Sequence, residues 1–312
     1  MNKRLFAAGF AAALLLGSLG LGPPAAAVPS CFGRRITTFG SGLINGTPGN
    51  DVIAGSSGPD EINGLGGNDR ICGLGGNDII RGGPGSDRIH GMTGRDLIVG
   101  DESALTGDLT GPCGNDLIIG GRGNDGITGD DRAYGGEVTC DGGDDVLLGS
   151  QGRDAIFGDS IGVVVSGAGG DDEIGLGDGD DRFAVGDSAA FDLVSGDGGN
   201  DTIAGGPGDD AYLIGDHSYF LGTTVISSHG GDDTILGSDG NDGPMIGDHN
   251  PPTAPSAGGS GDDTLYGGKG RDDLHGDGFA DDGVDFGNGT DVCGGGPRVD
   301  TAARCEIVHG VP

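Results

Sequence analysis

Gly82-Gly83-Pro84-Gly85-Ser86-Asp87-Arg88-Ile89-His90 is one copy of a nine-residue unit, Gly-Gly-x-Gly-x-Asp-x-U-x, in which U is a large apolar residue. The unit recurs on both sides of it. Six copies run without a gap from Gly46 to Val99. Six pairs follow, from Gly111, Cys140, Gly167, Gly196, Ser228 and Gly258. A degenerate copy from Phe286 makes nineteen. Position four is glycine and position six aspartate in every copy. Position eight is apolar, as in Ile53, Ile62, Ile71, Ile80, Phe183, Tyr212, Leu265 and Leu274. The exception is Pro244, whose slot Met245 is placed to take over. A fixed short period marks a stacked, quasi-one-dimensional architecture.

Each position has a physical reading. The glycines let the backbone turn tightly and present its carbonyl oxygens. Aspartate at position six adds a carboxylate. Together they form an all-oxygen donor set, which suits a hard cation such as Ca²⁺ with six to eight ligands, roughly. One turn cannot supply that many, so each ion is expected between stacked turns. Residues seven to nine form a very short strand with the central side chain inward and its neighbours outward. The outward positions agree: Arg70, Arg88 and Arg182 at seven, Arg81 and His90 at nine.

These residues resemble the RTX (haemolysin-type) calcium-binding repeat family, and the resemblance spans about residues 46 to 294. The opening Cys31-Phe32-Gly33 and the closing Asp291-Val292-Cys293-Gly294 look like secreted calcium-binding proteins of actinobacterial type. The resemblance implies an all-β parallel β-roll, a β-solenoid in which two nonapeptides make one coil and Ca²⁺ lies between turns on each edge. It implies as metal ligands Asp51, Asp60, Asp69, Asp78, Asp87, Asp96, Asp116, Asp125, Asp145, Asp154, Asp172, Asp181, Asp201, Asp210, Asp233, Asp242, Asp263 and Asp272, with glycine-turn carbonyls. Turns n and n+2 lie eighteen residues apart in the gapless block. Asp51, Asp69 and Asp87 are therefore expected on one edge, and Asp60, Asp78 and Asp96 on the other. The later inserts are expected to break this spacing, leaving residues 46 to 99 as the strongest calcium-binding block.

Composition fits a chain that needs cations to become compact. Of 312 residues 75 are glycine, 49 are acidic and 16 basic, and tryptophan is absent. High charge with few aromatics would ordinarily favour disorder, but here the apolar residues and the acids are periodic. The formal charge is −33, or −35 without Lys3 and Arg4. Such a polyanion is not expected to bind nucleic acid or an acidic membrane surface.

Residues 1–27 read as a secretory signal peptide, with basic Lys3 and Arg4, the apolar run Leu5 to Leu21 and small residues Ala25-Ala26-Ala27 before the cleavage point. The expected location is extracellular, with no membrane span in the mature chain. All six cysteines follow this segment, an even count that suggests disulfides. Proximity predicts Cys31–Cys72, Cys113–Cys140 and Cys293–Cys305. An N-terminal cap is expected over 28–45, the gapless roll over 46–99, a roll with longer inserts over 100–285 and a C-terminal cap over 286–312.

From Gly100 onward each repeat block ends in Gly-Asp: Gly100-Asp101, Gly129-Asp130, Gly158-Asp159, Gly186-Asp187, Gly215-Asp216, Gly247-Asp248 and Gly276-Asp277. Successive pairs begin 27 to 32 residues apart, which leaves a third segment. It is long enough for a strand and turn, as the β-prone Val163-Val164-Val165 and Thr223-Thr224-Val225-Ile226 suggest. Inserts as half-coils would bulge on alternating edges; the alternative is a three-sided β-helix. The Gly-Asp carboxylate is either an additional Ca²⁺ ligand or a turn-forming Asx residue.

Signs of catalysis are weak. HExxH is absent. Gly158-Asp159-Ser160 and Gly186-Asp187-Ser188 resemble the first block of GDS-type esterases. The same position elsewhere holds Glu102, Asp131, His217, His249 and Gly278, which no nucleophile would tolerate. His217 and His249 are equivalent positions one unit apart, and solvated loop histidines explain them better than a shared transition metal. The expectation is a non-catalytic protein that binds several Ca²⁺ ions, with a cell-surface or matrix partner unspecified. The rival is an extracellular hydrolase or a carbohydrate-binding adhesin with its site in the inserts of 100–285. Those inserts hold few aromatics: Tyr134, Phe191, Tyr219, Phe220 and Phe279.

Overall fold

Stacked nonapeptides place one inward side chain per strand, and the architecture follows from that. The computed structural model describes residues 30–219, 225–226, 229–248, 261–276, 292–294, 301–303 and 307–309. The segment expected as a signal peptide, Asp291, His249, Phe279 and the Cys293–Cys305 pairing lie outside the described residues and side chains.

The molecule is an all-β parallel solenoid, with no helix among the described residues. A first sheet of twelve strands runs from Thr38–Phe39 to Ile307–His309, and a second of eleven runs from Leu43–Asn45 to Thr301–Ala303. The chain alternates between them. Ile53, Ile71 and Ile89 pair in register along the first sheet, and Ile44, Ile62, Ile80 and Ile98 along the second. Beyond Val99 the first-sheet column continues through Ile118, Leu147, Ile174, Ile203, Ile235 and Leu265. These side chains form one continuous buried cluster, each contributing about 1.5–3 kcal/mol on burial. Within the segment expected as an N-terminal cap, Thr38–Phe39 and Leu43–Asn45 already pair with the first repeats as a coil.

The inserts do not alternate between edges. Among the described residues the inserts leave the second sheet and return to the first on the same side, and together they build a third parallel sheet. Its seven strands include Ser103–Ala104, Arg132–Ala133, Ile161–Val165 and Ala189–Val194. The three-sided alternative thus describes this half. A second buried cluster (Phe157, Ile161, Val185, Ala189, Ile214, Ile246) joins the second sheet to the third. A third (Leu109, Ala133, Val138, Val165, Ala190, Val194) fills the inserts themselves. Inserts that pair with one another have a stable place only on a common edge.

Phe183 and Tyr212, both expected inward, point outward. Ile156 pairs with Ala184, and Ala184 with Leu213, so the residue after each aromatic takes the inward slot. The main chain is still in phase at Arg182, whose N–H reaches the Asp154 carbonyl, so one extra residue enters after position seven. A thin interior filled by isoleucine and leucine has no room for a large ring. Phe183 instead packs on Phe157 with ring centroids 4.9 Å apart, and Tyr212 is exposed. Met245 does occupy the slot beside Pro244 and is fully buried.

Two predicted disulfides are present, Cys31–Cys72 and Cys113–Cys140. The first pins a short antiparallel hairpin, Ser30–Cys31 with Arg34–Arg35, against the first sheet. There the Arg88 guanidinium lies 5.0 Å from the Phe32 ring centroid.

Candidate metal centre

The two edges of the roll are where the turns stack, and position-six aspartates line both. One edge carries Asp51, Asp69, Asp87, Asp116, Asp145, Asp172, Asp201, Asp233 and Asp263; the other carries Asp60, Asp78, Asp96, Asp125, Asp154, Asp181, Asp210, Asp242 and Asp272. On each, the main-chain N–H of one aspartate donates to Oδ1 of the next. Asp51 N reaches Asp69 Oδ1 at 2.7 Å and Asp60 N reaches Asp78 Oδ1 at 2.9 Å. The same bond recurs to Asp201 N–Asp233 Oδ1 at 2.7 Å and Asp242 N–Asp272 Oδ1 at 3.0 Å. Asp87 bonds Asp116 across 29 residues as it bonds Asp69 across eighteen. The inserts loop away from the edge, so the carboxylate columns run past them unbroken. The expected loss of spacing does not occur.

The second carboxylate oxygen is the chemically revealing one. In Asp69, Asp78, Asp87, Asp96, Asp116, Asp125, Asp145, Asp154, Asp172, Asp181, Asp201, Asp210, Asp233 and Asp242, Oδ2 is buried without a hydrogen-bond partner. A buried polar atom left this way costs roughly 1–3 kcal/mol, more when charged. Repeated down both edges, it marks positions that some other group fills. The first two coils differ: Asp51 Oδ2 accepts from Thr47 N and Oγ1, and Asp60 Oδ2 from Ser56 N and Oγ.

Electrostatics agree. Burial pushes the carboxyl of Asp69 and Asp78 up to about 6 and that of Asp87 and Asp154 up to about 7, partly offset by the backbone N–H on Oδ1. Neighbouring aspartates on the column raise them further. Burial also raises Asp116, Asp145, Asp172, Asp201 and Asp233 well above the carboxylate range. A column of like charges this dry requires protons or cations.

Turn geometry explains the glycines. Position two has positive φ at Leu65 (87°), Leu74 (77°), Met92 (76°), Ser150 (84°) and Ser238 (85°), and glycine takes the same conformation at Gly83 and Gly121. Position four is glycine because the coils touch there: a Cβ on Gly94 would overlap the Gly76 carbonyl oxygen.

A model of the RTX calcium-binding nonapeptide repeat, in four copies, matches residues 45–80, 81–104, 114–131, 141–160, 187–212, 222–243 and 257–282, together more than half of the chain. The chain belongs to the RTX calcium-binding repeat family. RTX nonapeptide repeats bind Ca²⁺ at multiple sites, and the all-oxygen donors and orphaned Oδ2 atoms fit that ion. No curated protein matches the chain. No helix of the described residues is long and apolar enough to cross a membrane.

The RTX framework accounts for the residues after Gly-Asp. Glu102 N donates to Asp131 Oδ1, Asp131 N to Ser160 Oγ, Ser160 N to Ser188 Oγ and Ser188 N to His217 Nδ1. The position thus needs a side-chain acceptor near Cβ, which Asp, Ser and His all supply. Ser160, Ser188 and His217 are buried in this ladder. His217 completes it with Nε2 3.0 Å from the Gly196 carbonyl oxygen. Sequence reasoning left this role unassigned, although the shared acceptor was the available signal.

Proposed function

We propose that this RTX protein is secreted and non-catalytic, and that Ca²⁺ drives its folding outside the cell. The observation that supports it best is the pair of unbroken aspartate columns, with one oxygen held by the neighbouring coil and the other buried without a partner. Position-six aspartates and turn carbonyls are the proposed ligands, and the ion supplies the positive charge that the columns lack. Binding and folding then share one free energy, because the unfolded chain offers no preformed site. The apolar start of the chain and the two disulfides support an oxidising, extracellular setting.

Circular dichroism of the mature protein tests this. In excess EGTA the β signal is expected to vanish, and millimolar Ca²⁺ is expected to restore it. A fold that persists in chelator at neutral pH would refute the coupling.

A further inference from the structure

The Gly-Asp dipeptides of the inserted half form a third column of acids that the nonapeptide motif does not include. Asp101, Asp130, Asp159, Asp187, Asp216 and Asp248 stack one per coil, and none is more than 2% exposed. Their main chains stay in step: Asp101 N faces the Asp130 carbonyl at 3.4 Å, and Asp159 N the Asp187 carbonyl at 3.3 Å. In each, the carboxylate accepts the position-four N–H of the following nonapeptide, as Asp101 does from Gly114 (2.8 Å), Asp130 from Gly143 (3.1 Å) and Asp187 from Gly199 (3.1 Å). An Asx turn closes locally within about two residues. These carboxylates instead reach across a whole insert, eleven to fifteen residues.

This column lies directly against the first edge. A Cβ on Gly100 would fall on Asp116 Oδ2. Gly129, Gly158 and Gly186 stand in the same relation to Asp145, Asp172 and Asp201. Asp101 Oδ1, Asp130 Oδ1 and Asp187 Oδ2 are buried without a hydrogen-bond partner, and so are the Oδ2 atoms of Asp116, Asp145, Asp172 and Asp201 beside them. The basic group the structure places against the column is the buried His217, whose Nδ1 is 3.7 Å from Asp187 Oδ2. That nitrogen already accepts the Ser188 N–H, so it carries no proton for Asp187.

Beside Asp101 and Asp130, position three of the facing nonapeptide is the disulfide-bonded Cys113, whose sulfur lies within 4.8 Å of carboxylate oxygens of both; at the next coils position three is glycine. Side chains on Gly142, Gly169 and Gly198 would collide with the carboxylates of Asp159, Asp187 and Asp216. Glycine there keeps the carboxylates reachable.

We propose that the Gly-Asp aspartates bind an additional row of Ca²⁺ ions, each held by the Gly-Asp carboxylates of two successive coils and the position-six carboxylate between them. Asp101, Asp116 and Asp130 form one such group, Asp130, Asp145 and Asp159 the next, and Asp159, Asp172 and Asp187 a third. The inserts thereby do more than extend the roll: they bring a second carboxylate column to one edge and make that edge richer in calcium than the other. The proposal rests on the reading that position-six aspartates bind Ca²⁺.

The test counts ions bound to the mature protein by equilibrium dialysis with ⁴⁵Ca²⁺. Asp101→Asn and Asp130→Asn are expected to lose at least one ion each, or to raise the calcium midpoint several-fold. Asp178→Asn, an exposed acid, is expected to match the parent. Asp154→Asn, on the opposite edge, probes the position-six sites alone. Loss in Asp154→Asn with parental behaviour in Asp101→Asn and Asp130→Asn overturns the third column and leaves the functional reading intact. Parental behaviour in all the variants overturns both. The unaltered protein gives a second readout should a variant not fold. Anomalous diffraction from Ca²⁺-grown crystals is expected to show a peak about 2.3–2.6 Å from Asp130 Oδ1. Peaks confined to the position-six columns overturn the proposal.

Discussion

The main-chain N–H of Asp69 donates to Oδ1 of Asp87, 2.7 Å away on the next coil of the same edge. That bond gives the aspartate two jobs. One oxygen sets the spacing between coils, and on the proposed reading the other binds a cation. Removing the carboxylate therefore damages both stacking and binding.

Asp69→Ala is the direct test. It strips the acceptor from Asp51 N and removes Oδ2 from the edge. The orphaned N–H alone costs about 1–3 kcal/mol, and ligand loss adds to it. The calcium midpoint for folding is expected to rise several-fold, whereas Asp178→Ala, an exposed acid, should leave it unchanged. Equal shifts for the two, followed by circular dichroism, would mean the aspartates act only as interchangeable surface charge.

The turn at position two offers an opposite, stabilising change. Leu65 holds φ at 87° with its side chain half exposed. An L-residue there carries about 1–2 kcal/mol of strain that glycine does not. Leu65→Gly is expected to raise the melting temperature of the calcium-loaded protein by a few degrees. Gly94→Ala, which drives a methyl into the Gly76 carbonyl, should lower it sharply. Calorimetry on both variants checks the pair, and a destabilised Leu65→Gly would contradict the strain argument.

Tyr212 and Leu213 separate pattern from packing. The nonapeptide register assigns the core slot to Tyr212, yet Leu213 is fully buried and Tyr212 is exposed. Leu213→Ala is expected to cost about 2–5 kcal/mol, as core truncations of this size do, and Tyr212→Ala well under that. Chemical denaturation in saturating Ca²⁺ measures both. A larger loss at Tyr212 would restore the sequence register.

These residues also show what a one-dimensional reading captures. The edge assignment of the position-six aspartates from Asp51 to Asp96 was legible, because the nine-residue period forces alternate turns onto alternate edges; beyond Val99 it was not, because the inserts were expected to break that period. The shift at Phe183 was not, because a one-residue bulge leaves the aspartates before and after it in phase. The third sheet was half legible. Val163-Val164-Val165 announced a strand, but its partners, such as Glu137 with Val164, lie one insert away. Only the three-dimensional stack shows that the described inserts leave from the same edge. The Gly-Asp column was visible as a recurring dipeptide. Its burial against Asp116 and Asp145 depends on how the insert returns, which composition does not encode.

Without calcium, burial holds the Asp69, Asp78 and Asp125 carboxyls at about 6 and those of Asp87, Asp154, Asp210 and Asp242 at about 7. The unfolded chain titrates near the ordinary aspartate value, about 3.9. Between these values the folded form binds more protons than the unfolded form, so stability of the calcium-free fold falls as pH rises from about 4 through about 7. In EGTA, β-structure should therefore be greatest near pH 5 and lost by pH 8, the reverse of ordinary acid denaturation. Calcium reverses the sign, since each ion needs deprotonated ligands and must displace those protons below pH 7. The calcium midpoint for binding should accordingly rise as pH falls from 7 to 5. Circular dichroism in EGTA across pH 4–8, paired with calcium titrations at each pH, reads both trends. A chelated protein equally unfolded at pH 5 and pH 8 would show that the buried columns are not what keeps the calcium-free chain from folding.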